Sequence, residues 1–383
     1  MNIKLVKDTI DTDDISSLID WLKTNPRLTK GELTVEFESL WSKWLGSKYS
    51  VFVNSGSSAN LAAIYSLILS GKLKNNKIIV PAVSWVTTVT PAIQLGLTPI
   101  MCDCDVDNLG LDIKHLKQLI AEEKPAAIIL VHVLGFPNHM SEIVELCKEH
   151  DILLIEDTCE SIGSKYGNRH LGTFGDLSTF SFYFGHHMST IEGGMISTDD
   201  EELYHILLSI RSHGWDRDLP VSKQKELREK YNINDFKALY TFYYPGFNLR
   251  ATDLQAFIGI QQMKKLDSIV EGRYLNYLKY KKGIKNSFWN INPSENTYIS
   301  NFSYPILTKN LHKLTAALED NGIECRPLIC GSINEHPFWY ERYGKQDLPN
   351  AKRVHELGMY LPNNHQMTDE EINKVIKVVN ENL

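Results

Sequence analysis

The chain has 383 residues, of which 43% are apolar and 23% charged, as in ordinary globular proteins of one or two domains. A net charge of −7 argues against nucleic-acid binding, which usually requires a basic surface. The N-terminus has no apolar signal core, and the longest apolar run, 126–134, is too short to span a bilayer. We therefore expect a cytoplasmic protein without membrane or nucleic-acid partners.

The first part of the chain predicts two helices, at 11–23 and 34–44, from apolar residues at helical spacing. Strands and helices then alternate. The strands are predicted at 49–53, 77–80, 99–104, 126–133, 152–155, 177–182 and 195–197. Continuous apolar strands separated by helices indicate an α/β fold with a mainly parallel sheet covered on both faces.

From about residue 220 onward, the regular alternation of strands and helices ends. Residues 220–237 are charged and poor in apolar side chains, and we expect an exposed or mobile excursion there. A helix predicted at 252–265 leads to two strands and two helices, which suggest a small α+β domain. The predicted division is residues 1–255, the N-terminal helices and a large domain, and residues 256–383, the small domain.

Cysteine spacing excludes a recognisable metal site. None of the six cysteines forms a Cys-x-x-Cys pair, so we predict free thiols and no bound metal.

Polar residues follow three of the predicted strands. They are the turn 54–60, Asp157, and His186 at the end of an apolar run. Because ligands of parallel sheets bind at the carboxyl ends of the strands, these residues predict one cleft. We expect the chemistry at His186, although a histidine in such a position is more often a half-buried structural residue.

The turn Ser55-Gly56-Ser57-Ser58 leads from a strand into a helix. It offers backbone N–H groups, hydroxyls and a helix dipole to a single phosphate, with a plain helix cap as the alternative. Asp157 could pair with a protonated ring nitrogen of a cofactor, or form a structural cap or ion pair. Trp85 could stack on a flat ring, or simply pack.

Several segments resemble, in order and over most of the chain, the sugar aminotransferase family of pyridoxal phosphate enzymes, which acts on nucleotide-linked keto-sugars. The resemblance implies an aspartate-aminotransferase-type fold, pyridoxal phosphate fold type I, and a homodimer with active sites shared between subunits. The segments are Asn-Ser-Gly-Ser-Ser-Ala-Asn-Leu, Val-Pro-Ala-Val-Ser-Trp, Glu-Asp-Thr-Cys-Glu-Ser, Gly-Thr-Phe-Gly-Asp, Glu-Gly-Gly and Tyr-Pro-Gly-Phe-Asn-Leu-Arg.

The sequence departs from the family pattern at one position. The family's Schiff-base lysine lies six residues before the glutamate of Glu-Gly-Gly, which is Glu192 here, so His186 takes its place. No lysine lies between Lys165 and Lys223. An imidazole cannot form a stable imine as a primary amine does, but it can transfer protons near neutral pH.

This substitution, together with Ser-His-Gly-Trp-Asp-Arg, resembles the lysine-less 3-dehydratases of the family. They imply a reaction that uses pyridoxal and pyridoxamine phosphate, with L-glutamate as amino donor, to remove the 3-hydroxyl of a GDP-linked 4-keto-6-deoxy sugar. The sugar could be the mannose derivative or a 6-deoxy-heptose, destined for a 3,6-dideoxy sugar of lipopolysaccharide or capsule. An aminotransferase without the lysine and an inactive homologue remain alternatives. A CDP-sugar branch that carries an iron–sulfur cluster is disfavoured because the cysteines show no cluster pattern.

The resemblance also implies roles for single residues. His186 would transfer protons, and its neighbour His187 would be structural. The substrate candidates are His213, Arg217, Arg250 and Arg326. The residues implied to contact the cofactor are Gly56, Ser57 and Ser181 at its phosphate, Asn248 of the partner subunit at the same phosphate, Asp157 at the pyridinium, Trp85 on the ring and Glu160 along the cleft.

Overall fold

The helices predicted at 11–23, 34–44 and 252–265 begin and end within two residues of those bounds. A computed structural model describes residues 2–286 and 288–383. Its helices are α1 (Thr12–Lys23), α2 (Glu32–Leu45), α3 (Gly56–Ser70), α4 (Val86–Gln94), α5 (Ile113–Glu123), α6 (Met140–His150), α7 (Glu201–Ile210), α8 (Val221–Lys230), α9 (Asp235–Ala238), α10 (Asp253–Met263), α11 (Leu266–Gly283), α12 (Leu311–Asp320), α13 (Pro337–Tyr343), α14 (Pro349–Leu357) and α15 (Asp369–Asn382). No helix in the described part of the chain is both long and apolar enough to cross a membrane.

The strands of the described residues are short, each with two to five residues. They are β1 (Tyr49–Val53), β2 (Lys77–Pro81), β3 (Thr98–Cys102), β4 (Ala127–Val131), β5 (Leu153–Asp157), β6 (Lys165–Tyr166), β7 (Arg169–His170), β8 (Leu177–Ser181), β9 (Gly194–Thr198), β10 (Thr297–Tyr298), β11 (Tyr304–Leu307), β12 (Arg326–Pro327) and β13 (Gly358–Leu361).

A seven-stranded sheet of the described residues organises the molecule, in the order β1-β9-β8-β5-β4-β2-β3. The pairs from β8 to β3 are parallel, and β9 runs antiparallel to both of its neighbours. Alternate side chains of β2 enter separate cores: Ile78 and Val80 pack in one, and Ile79 packs in the other. The sheet is therefore covered on both faces, and the predicted α/β class with a mainly parallel sheet is confirmed.

A three-stranded antiparallel sheet, β11-β13-β12, forms the second part of the fold. Its core contains Ile306 and Met359 from the sheet and Leu314 and Ile372 from α12 and α15. The predicted division between residues 255 and 256 falls within α10.

The helices α4 and α8 were not predicted from the sequence. Most of residues 220–237 are exposed, as expected, but they contain α8 and the start of α9. The helix α8 is anchored by buried Leu227 and by Arg228, whose Nε lies 2.8 Å from Oδ2 of buried Asp216. A single apolar anchor gives no helical periodicity, so the pattern did not show it. The helix α4, with Pro91 inside it, was missed as well.

Candidate active site

A cleft of about 430 Å³ lies at the carboxyl ends of β1, β2, β5 and β8. This is the edge at which parallel sheets bind ligands. The structure brings seven of the predicted site residues together here. They are Gly56, Ser57, Trp85, Asp157, Glu160, Ser181 and His186.

One end of the cleft is the N-terminus of α3. Ser55 caps this helix by accepting the N–H of Ser58 at 3.0 Å, and Oγ of Ser57 donates to Oγ1 of Thr87 at 3.0 Å. Gly56 packs directly against Ser181, since a Cβ at position 56 would lie 2.6 Å from Cβ of Ser181. The N-terminus of α3 and the hydroxyls of Ser57 and Ser181 therefore lie together beside Gly56, where a larger residue would not fit. Such an arrangement is suited to binding a phosphate.

Asp157, the last residue of β5, is a buried carboxylate with an exposure of 3%. Its Oδ2 accepts from Nδ2 of Asn60 (2.8 Å) and Oγ1 of Thr88 (2.7 Å), and its Oδ1 accepts from the N–H of Cys159 (3.1 Å). No cationic side chain of residues 2–286 and 288–383 forms an ion pair with it. Because a buried carboxylate requires compensation, this side chain fits the protonated ring nitrogen of pyridoxal phosphate.

The side chain of Trp85 is 54% exposed at the cleft, where it can cover a flat ring. The N-terminus of α3, the carboxylate of Asp157 and the indole of Trp85 thus match the phosphate, the ring nitrogen and the ring face of pyridoxal phosphate.

His186 lies in the loop after β8, five residues past the strand end at Ser181. Its Nδ1–H donates to the carbonyl oxygen of Cys159 at 2.8 Å. A carbonyl only accepts, so Nε2 carries the free lone pair. Burial lowers the pKa of His186 to about 4, and the positive charge of Arg273 acts in the same direction. At neutral pH the imidazole is thus an uncharged base partly exposed to the cleft.

His187 is fully buried, and its Nε2–H donates to the carbonyl oxygen of Ser300 at 3.0 Å. Two adjacent residues of a strand point to opposite faces, but His186 and His187 lie in an irregular loop, so strand alternation does not set the directions of their rings.

Glu160 adds a second titratable group to the cleft. Its Oε2 accepts the N–H of Leu134 at 2.8 Å. Burial raises the pKa of Glu160 to about 8, and the carboxylate of Asp157 acts in the same direction. The carboxyl group is therefore mostly protonated at neutral pH, while the imidazole of His186 is not.

Sequence reasoning missed several apolar and aromatic side chains of the cleft. Tyr183 and Phe184 belong to the aromatic run before His186, so proximity in sequence could have found them. The others come from distant segments, which no local pattern places at the site. They are Val6, Phe302, Ile329 and Tyr360.

Asn248 does not line this cleft. It lies at a separate cavity of about 750 Å³ with Arg217 and Arg250. The guanidinium of Arg217 lies 3.9 Å from the ring centroid of Trp215, and that of Arg250 lies 5.9 Å from it. The structure thus groups two substrate candidates with Asn248, away from His186.

The other two substrate candidates, His213 and Arg326, line neither of these two cavities. The ring of His213 is 5.2 Å from that of Trp215, beside the second cavity. Arg326 is exposed on β12 and pairs in register with Tyr360 of β13, a cleft residue, without lining the cleft itself.

Comparison with known proteins agrees with this geometry. The model of the DegT/DnrJ/EryC1/StrS aminotransferase family matches residues 8–380. The GDP-4-keto-6-deoxy-D-mannose 3-dehydratase of Yersinia pseudotuberculosis is 35% identical, over 99% of this chain and 98% of that protein. The enzyme of the same name from Escherichia coli O55:H7 is 36% identical, over 97% of each chain. A crystal structure of GDP-4-keto-6-deoxymannose-3-dehydratase with a trapped PLP–glutamate geminal diamine has a TM-score of 0.90 at 34% identity, and the match covers 99% of this chain and 100% of that one.

Proposed function

The chain belongs to the DegT/DnrJ/EryC1/StrS aminotransferase family, and we propose that within it the chain is a pyridoxal phosphate-dependent 3-dehydratase. Its substrate would be a GDP-linked 4-keto-6-deoxy sugar, with L-glutamate as amino donor. The observation that carries the proposal is His186: an imidazole with a free Nε2 stands where the family has its lysine.

The cofactor, as pyridoxamine phosphate, supplies an amine for the keto group of the sugar and a conjugated ring that accepts electrons. Asp157 would hold the ring nitrogen, and Trp85 would cover the ring face. The phosphate would bind at Gly56, Ser57 and Ser181, where the N-terminus of α3 and two hydroxyls converge.

His186 would carry the proton transfers. Its Nε2 would accept a proton, and the resulting imidazolium would donate it to the 3-hydroxyl as that group departs. The bond from Nδ1 to the carbonyl of Cys159 keeps the ring orientation fixed throughout, because Nδ1 is protonated in both states.

We also propose a homodimer with shared active sites. Asn248, assigned to the cofactor phosphate by the family resemblance, lies at a cavity apart from Ser57 in the same chain. The family resemblance implies that a second subunit brings Asn248 to the phosphate, and the position of Asn248 at a different cavity from Ser57 supports this. Arg217 and Arg250 would then add positive charge near the diphosphate of the substrate in the partner's site.

The substrate class is tested by incubating the protein with pyridoxal phosphate, glutamate and a panel of GDP- and CDP-linked 4-keto-6-deoxy hexoses and heptoses. We expect a product lighter than the substrate by one oxygen atom, from a GDP sugar and only when glutamate is present. An amino sugar would favour the aminotransferase alternative, and no conversion of any sugar would favour an inactive homologue.

The absence of a lysine predicts that the cofactor is bound without a covalent link. No lysine of the described residues lines the cleft. Borohydride treatment of the holoenzyme should therefore leave no pyridoxyl group on the chain, as read by peptide mass mapping. His186→Lys, treated in parallel, is the positive control, and a pyridoxyl-lysine in the unaltered protein would contradict the proposal.

A further inference from the structure

Arg273 is a buried arginine close to His186, and no acidic residue among 2–286 and 288–383 pairs with it. It belongs to α11 and has an exposure of 2%. Its Nε has no hydrogen-bond partner, and within residues 2–286 and 288–383 it forms no ion pair. Burial alone lowers the pKa of the guanidinium to about 9. A buried cation without a carboxylate partner is costly, so its presence here calls for a reason.

The guanidinium is held by main-chain carbonyls of three segments. Its Nη1 donates to the carbonyl of Phe302 at 2.8 Å and to that of Asn363, and its Nη2 donates to that of His186 at 3.4 Å. The ring of Phe302 is close to both side chains, with its centroid 5.2 Å from the ring of His186 and 5.8 Å from the guanidinium. One side chain thus joins the His186 loop to the segments that flank β11 and β13.

We propose that Arg273 is a positioning residue for the reaction: its guanidinium holds the main chain at His186, and its charge keeps the imidazole in the uncharged, proton-accepting form. The inference rests on the proposed function, in which His186 accepts a proton. In a site shielded from water, a neighbouring positive charge disfavours an imidazolium, whereas a carbonyl contact alone would fix only position.

Other groups around His186 also affect whether its imidazole is neutral or protonated. The carboxylate of Asp157 favours the imidazolium, opposite to Arg273, and the hydrogen bond to the carbonyl of Cys159 also raises the pKa of His186. Burial is the largest effect and lowers it, with Arg273 acting in the same direction. The other titratable groups of the described residues that face this region are Cys159, Glu160, Tyr183, His187, Glu192, Tyr360 and His365.

Two variants separate position from charge. Arg273→Gln keeps an N–H donor for the carbonyls but removes the charge, and Arg273→Lys keeps the charge on a different donor. In the pH profile of kcat/KM for dehydration, the acidic limb of Arg273→Gln should move up by about 0.5–1 pH unit, because the proton then binds His186 more readily. The limb of Arg273→Lys should stay within a few tenths of a unit of the parent's, even where its kcat is lower.

A purely structural Arg273 predicts equal behaviour of the two variants. Coincident limbs, or the same shift in both, would overturn the proposal. Titration of His186 by NMR of the labelled unaltered protein, with His186→Asn to assign the signal, does not depend on the Arg273 variants folding. Burial alone also lowers this pKa, so the inference requires a value well below the ordinary 6.5, and a value at or above it contradicts the inference. The difference between Arg273→Gln and Arg273→Lys tests the charge. The titration also needs no turnover, so failure of the proposed dehydration would be seen separately.

Discussion

Replacing His186 by asparagine should lower the rate of dehydration by about 10²–10⁴-fold, the usual contribution of one acid–base group. The fold and the cofactor should remain, because Asp157, Trp85 and the N-terminus of α3 do not depend on the imidazole. The rate would be measured from sugar consumed under saturating glutamate, and cofactor binding from absorbance.

The neighbouring histidine gives a matched control. His187→Gln retains a donor for the carbonyl of Ser300 and lies outside the cleft lining. It should affect stability more than rate, with activity per folded molecule within a few-fold of the parent. Near-normal dehydration by His186→Asn would show that His186 is not the acid–base group of the reaction.

His186→Lys replaces the imidazole with a primary amine, whereas His186→Asn only removes the imidazole. A primary amine there can bond covalently to the cofactor aldehyde, as the family's lysine does. A lysine engaged in that bond is not free to accept a proton, so dehydration should be lost or very slow. Absorbance reports the covalent bond, and its absence together with normal dehydration would contradict the assigned position.

Complementation between two inactive variants should restore activity in a mixed dimer. Asn248→Asp and Ser57→Asp each add a negative charge that repels the cofactor phosphate, one from each side of the proposed shared site. In a dimer with one copy of each variant, one site contains both changes and the other contains neither. We therefore expect about half of the parent activity per mixed dimer.

The variants would be co-expressed with different affinity tags, and the mixed dimer purified through both. Each homodimer purified separately is the control and should be nearly inactive. Mixed dimers no more active than these controls would mean that Ser57 and Asn248 do not meet across subunits. If Asn248→Asp alone were fully active, Asn248 would have no place at the phosphate.

The sequence predicts the sheet and the cleft because both arise from local patterns. Apolar segments such as 126–133 predict parallel strands, and the carboxyl ends of parallel strands meet at one edge of the sheet. Because Asp157 and His186 follow two such strands, the sequence predicts that both lie in one cleft, as they do. Residues brought in by long-range packing have no such pattern. Tyr360 reaches the cleft from the small sheet, and Phe302 reaches it from the segment just before β11. Arg273 is one of several basic residues on α11, and the sequence does not distinguish it from the others. That no carboxylate of the described residues pairs with Arg273 can be seen only in the folded chain.

The fate of the amino nitrogen tests the central claim most directly. In the proposed dehydration, glutamate and the keto-sugar give 2-oxoglutarate, ammonia and the 3-deoxy-4-keto sugar, so each sugar consumed yields one 2-oxoglutarate and one ammonia. In transamination the nitrogen stays on the sugar. With ¹⁵N-glutamate and GDP-4-keto-6-deoxy-mannose, we predict the label in free ammonia, in an amount equal to the sugar consumed. Label retained in the sugar product, with no free ammonia, would contradict the assignment as a dehydratase.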